Sequence, residues 1–138
     1  MIKRSLNILR YWLPVVLWMA VISYISSVPG SEFPDLGIVF ADKIFHFTEY
    51  FILGVLLAKA ISATSAGFKT LTRDKVFHII LISVIISLLY GMLDEFHQLF
   101  VAERGMDLLD LLSDVSGASI GAALFLYRER KDGGNKGL

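Results

Sequence analysis

The stretch that most constrains this chain is DEFHQLFVAERGMDLLDLLSD, Asp94 to Asp114, an acidic segment between a long apolar run and a short one. The run after it, Val115 to Tyr127, rises by about 1.5 Å per residue as a helix and falls short of a hydrocarbon layer of roughly 30 Å. A membrane helix here must take its missing length from upstream, which draws Asp114 and Asp110 into the membrane. A carboxylate at that depth is costly and normally faces protein or a wet cavity. The segment therefore reads as a polar hinge between two membrane helices, with its acids turned inward.

Composition agrees with this reading. At 138 residues, 55% hydrophobic and 19% charged, the chain is too apolar for a soluble domain of its size and reads as a small multipass membrane protein. It has no cysteine, which excludes disulfides, thiolate metal sites and cysteine nucleophiles.

The expected architecture is all-α, a bundle of four transmembrane helices over about 9–27, 43–62, 76–96 and 107–127, with a charged, flexible tail at 128–138. Lys3, Arg4 and Arg10 precede the first apolar run. A signal peptide also starts this way, but the core is too long and no small-x-small site stands out near SSVPG. Pro14 kinks the first helix or marks its start. Pro29, Gly30 and Pro34 end it in a loop. In the second helix only Tyr50 to Ala58 is free of charge, so Glu49 belongs in protein, whereas Lys59 can snorkel to the nearer surface. His78, near the start of the third helix, is expected at the interface.

Basic residues set the orientation. The amino terminus, the second connection and the tail hold three, three and four Lys or Arg, against only Lys43 and Arg104 in the other two connections. Positive flanks stay inside, so both termini are expected in the cytoplasm of a multi-pass cell-membrane protein.

The polar residues fall on helical faces. Asp42, His46, Glu49 and Leu53 form one stripe; Ser83, Ser87, Tyr90, Asp94 and His97 a second; Asp107, Asp110, Asp114, Gly117 and Gly121 a third. Turning the three stripes toward one another satisfies them most cheaply and predicts one outward-facing acidic pocket, with Lys43, Glu95 and Arg104 near its rim. A bound cation, protonation of some acids, or ion pairing with Lys43 and Arg104 would each offset the excess of carboxylates. The pairs His46 with Glu49 and Asp94 with His97 have the i, i+3 spacing that can meet one divalent cation. Plain interhelical hydrogen bonding gives the same spacing more often. Gly117 and Gly121 permit close helix approach, within the chain in preference to an oligomer contact. Ser113, Ser116 and Ser119 lie in no recognisable nucleophile elbow.

WLPVVLWMAVISYISSVPG, DKIFHFTEYFILGVLL and LLYGMLDEFHQLFVAERGMDLLDLLSDVSGASIGA, in this order and spacing, resemble the VanZ-like family of small bacterial membrane proteins. The family's polar signature falls on Asp42, Lys43, His46, Glu49 and Tyr50, on Asp94, Glu95, His97 and Gln98, on Arg104, and on Asp107, Asp110, Asp114 and Gly117. The resemblance implies a modifier of access to, or display of, cell-wall precursors, as in glycopeptide (teicoplanin-type) antibiotic resistance, and carries no settled catalytic mechanism. Ala102 and Glu103 replace the proline and glycine turn that often precedes the family's arginine, so a more helical loop is expected before Arg104.

These observations favour binding over catalysis. The expected partners are the lipid bilayer and an outer-leaflet head group or cation, a lipid-linked cell-wall precursor among them, with no nucleic acid. A rival reading is a metal-assisted hydrolase or transferase acting on a lipid-linked phosphate through His46, His97 and the carboxylates. Another is a proton-coupled transporter in which Glu49 and Asp114 alternate protonation; the short chain and the apolar cytoplasmic halves of its helices count against it.

Overall fold

The structure, a computed structural model, describes residues 2–32, 40–65 and 71–135, with side chains described between residues 8 and 132 of those ranges. Four helices account for most of it: α1 Ile2–Ser26, α2 Ala41–Thr64, α3 Arg73–Gln98 and α4 Leu108–Asn135, with a short 3-10 turn at Gly30–Glu32. Each is long and apolar enough to cross a membrane, and no strand occurs among the described residues. The protein is an all-α, multi-pass membrane bundle.

Its surface is that of a protein solvated by lipid. Leu9, Val16, Leu17, Ile82, Ile85, Leu89, Leu112 and Leu124 point outward, while His46, Asp94, Glu95, Asp110 and Asp114 are buried. Lipid tails solvate leucine as well as another leucine does, so polar groups, not apolar ones, gain most from the interior. Val15, Ile22, Leu53, Leu57 and Ala118 form one apolar core; Ala58, Ile79, Ala122 and Leu126 form a second.

The most extensive contact is between α2 and α4. Glycine makes it possible. A Cβ on Gly117 would land on the Phe47 carbonyl, one on Gly121 on the Phe51 carbonyl, and one on Gly54 on the Ala118 backbone. Both glycines of the α4 stripe thus face α2 of the same chain. α1 packs on α2 and α3 but does not reach α4.

Three features differ from expectation. α1 runs through Pro14 from Ile2, so the proline does not mark its start. α4 continues to Asn135, whereas Tyr127 was expected to end it before a flexible tail. Apolar periodicity stops there, but Arg128, Glu129, Arg130 and Lys131 are good helix formers that need no lipid to continue the helix. The segment before Arg104 is a turn, not helix, with Glu103 in the left-handed region at φ 58°. It closes on the first loop, where the Gly30 N–H donates to Ala102 O at 3.1 Å. Any Cβ on Gly30 would collide with Glu103 O. Tertiary closure, not local propensity, decides this conformation. The expected break at Pro34 and the basic residue Lys69 lie outside the described residues.

Candidate functional site

The start of α4 is where the site begins. The Asp107 carboxylate accepts the Leu109 N–H at 2.8 Å, capping the helix. The Asp107 N–H in turn donates to Glu95 Oε2 at 2.6 Å, so the end of α3 holds the start of α4. Lys43, from the first turn of α2, lies 2.8 Å from both Asp42 and Asp110 and also pairs with Asp107. Carboxylates suit these positions because the amino ends of α2 and α4 carry partial positive charge. The Lys43 ammonium and the Leu109 N–H hold the half-exposed Asp107 carboxyl below its usual range.

One turn deeper, His46 Nδ1 lies 3.0 Å from Asp114 Oδ1, and His46 Nε2 lies 4.0 Å from Asp110 Oδ2. Asp114 is fully buried, and its Oδ2 has no hydrogen-bond partner among the described residues. Gly91 of α3 leaves room for it: a Cβ there would come within 2.8 Å of that oxygen. The Tyr50 hydroxyl is also buried without a partner among the described residues.

α1 joins through a separate network. Ser26 Oγ donates to Asp94 at 2.7 Å, and Gln98 Nε2 donates to the same oxygen at 3.4 Å. Ser27 Oγ lies 3.0 Å from His97 Nε2. Trp18 Nε1 donates to Glu49 O at 2.8 Å, and the Tyr90 hydroxyl donates to Met19 O. Between the two networks is a cavity of about 220 Å³ lined by Ser26, Asp42, His46, Glu49, Gln98 and Arg104, with an apolar side at Ile25 and Phe45. Arg104 Nε donates to Val28 O at 3.4 Å.

The residues singled out by spacing are thus distributed over three places. Asp42, Lys43, His46, Glu95, Asp107, Asp110 and Asp114 form one cluster across α2, α3 and α4. Asp94 and Gln98 face α1. Glu49 and Arg104 line the cavity, and Tyr50 lies buried beside the cluster. Two placements correct the sequence reading. Glu95 is fully buried at the centre, not at the rim; it follows Ser83, Ser87 and Gly91 at steps of four, a second line on the broad buried face of α3. His97 is exposed beside Ser27, not in the pocket.

The metal-ligand pairs change with them. Among the described residues, the donor groups close enough to share one ion are His46, Glu95 and Asp110, or Asp42, Asp107 and Asp110, each set lying within 4.8 Å. Glu49, Asp94 and His97 belong to neither set. Sequence reasoning missed Ser26, Ser27 and Gly91. The paired serines just before Pro29 and the glycine on the Ser83 line were the available signals.

A family model described as VanZ/LLP1 matches residues 8–128. The chain belongs to the VanZ/LLP1 family. The match runs from the membrane-spanning part of α1 to just beyond Tyr127, so the cluster, the α1 network and the cavity of this VanZ/LLP1 protein all lie within it. No curated protein and no solved structure matches the chain.

Proposed function

We propose that this VanZ/LLP1 protein binds an outer-leaflet head group that carries both an ammonium and a phosphate. The observation that carries the reading is the cavity, where Glu49 and Asp42 share a small space with Arg104 and His46, beside the apolar Ile25 and Phe45. Acids and bases on one wall suit a zwitterion, and an apolar wall suits the start of a lipid chain. The Glu49 side chain makes no hydrogen bond or ion pair with any described residue, which leaves its carboxylate to meet an ammonium. Arg104 contributes a planar guanidinium suited to phosphate.

The basic residues on the flanks support an orientation with both termini in the cytoplasm and this cavity at the outer face. Family membership supports a setting in cell-envelope metabolism of the cell membrane, with glycopeptide resistance as a trait to measure. A phospholipid and a lipid-linked cell-wall precursor with a free amino group share the required chemistry.

Native mass spectrometry of the protein released from mixed vesicles tests this. Phosphatidylethanolamine should be retained over phosphatidylglycerol and diacylglycerol, and Glu49→Gln should erase the preference. If the precursor is the ligand, adding it should displace phosphatidylethanolamine. Equal retention of phosphatidylethanolamine, phosphatidylglycerol and diacylglycerol would overturn the reading.

A further inference from the structure

The cluster beneath the cavity has the form of a metal site, and nothing in the head-group reading requires that. His46 Nδ1 is fixed by the Asp114 carboxylate at 3.0 Å. The neutral tautomer with its proton on Nδ1 leaves the Nε2 lone pair directed toward Asp110 Oδ2, 4.0 Å away. That gap is too long for a hydrogen bond. An ion between the two atoms can lie ~2.0–2.2 Å from each. One oxygen of Glu95 completes a triangle whose three donor atoms lie within 4.8 Å of one another.

A second observation points to a ligand here. Glu95 is fully buried, and its Oε1 has no partner among the described residues, the other oxygen being taken by the Asp107 N–H. A buried carboxylate oxygen left without a donor is expensive. The charge balance points the same way: Asp42, Asp107 and Asp110 pair with the Lys43 ammonium, whereas Glu95 and Asp114 of the same cluster form no ion pair with a Lys or Arg among the described residues. The carboxylate behind His46 is the usual outer partner of a metal-bound imidazole.

We infer that His46 Nε2, Glu95 and Asp110 bind one divalent transition ion, each donor coming from a different helix. One imidazole and two carboxylates suit Zn²⁺ or Mn²⁺; they offer too few oxygens for Ca²⁺ and no sulfur for Cu(I). Three protein donors leave at least one position open, and His46 also lines the cavity, so the open side is available to water or to a cavity ligand. Asp114 is a positioning residue: it orients the imidazole and does not touch the ion.

The test uses the full chain in detergent, stripped with chelator and dialysed against micromolar ZnCl₂, MnCl₂ or CaCl₂, with bound metal measured by mass spectrometry and Tm recorded with and without each ion. Wild type should retain about one Zn²⁺ or Mn²⁺ per chain and gain Tm from it, with no gain from Ca²⁺. Glu95→Gln and His46→Gln should weaken binding roughly tenfold or more, and Asp114→Asn should do so through the ring orientation. His78→Gln and His97→Gln, which alter the other histidines, should bind as wild type does. Substoichiometric metal on wild type would overturn the inference even if the variants failed to fold. So would equal retention by folded Glu95→Gln and His46→Gln. Neither outcome depends on a head group, so this inference and the binding reading fail separately.

Discussion

His46 of α2 and Asp114 of α4 meet at 3.0 Å across 68 residues of sequence, inside a bundle whose outer surface is apolar. Removing one partner strands the other, whereas replacing both with apolar groups removes the need for either. Asp114→Ala should cost about 3 kcal/mol. His46→Leu with Asp114→Leu should recover a large part of that loss. A double-mutant cycle on reversible unfolding in mixed micelles measures the coupling; additive losses would show that the contact contributes little to the fold.

Gly117 and Gly121 govern the α2 to α4 contact more strictly than any apolar side chain. Gly117→Val and Gly121→Val each place carbon atoms on a carbonyl of Phe47 or Phe51, and backbone cannot move aside as a side chain can. Both should sharply lower the yield of monodisperse protein in size-exclusion chromatography. Ser116→Val, on the exposed side of the same helix, should leave the yield unchanged.

How much of this was legible depends on which physical constraint acted. The four helices were, because a span of apolar length has few other uses, and Asp110 and Asp114 had to turn inward once α4 borrowed their turn. Glu95 was placed at the rim because a single stripe through Asp94 and His97 was drawn on α3. That helix buries a face wide enough for both Asp94 and Glu95, since α1, α2 and α4 all pack on it. His97, in the last turn, lies outside that buried face, exposed beside Ser27. The Glu103 turn was not legible, because its left-handed backbone is imposed by the contact with Gly30, 73 positions earlier. Ordinary propensity favours helix there.

Acid should weaken the start of α4. The Asp107 carboxyl is held below its ordinary value of 3.8 by Lys43, and a group depressed in the folded state contributes stability that is present above its unfolded value and lost as pH falls through the folded one. Tm should therefore decline below about pH 4, and Asp107→Asn should remove part of that decline. Identical slopes for wild type and variant, measured by intrinsic fluorescence from pH 6 to acid, would show that the Lys43 contact has no thermodynamic effect.

Orientation can be read with single cysteines, since the chain has none of its own. Ser31→Cys and Ala102→Cys lie at exposed positions of the proposed outer face, and Ser65→Cys at an exposed position of the opposite end. An impermeant maleimide should label the first two in intact cells and the third only after permeabilisation. The reverse pattern would place the cavity in the cytoplasm.

The proposed binding rests most heavily on the charge of Glu49, whose side chain lines the cavity and bonds to no described residue. The proposed role of this carboxylate is to meet an ammonium, in place of holding helices together. The measurement that tests this most directly is the dissociation constant of a phosphatidylethanolamine short enough to be soluble, by calorimetry, on wild type and Glu49→Gln of equal Tm. Loss of one charge-assisted bond of roughly 1.5–3 kcal/mol predicts weakening by about tenfold or more. Affinity within about twofold in the isosteric variant would contradict the account and return Glu49 to a role in packing.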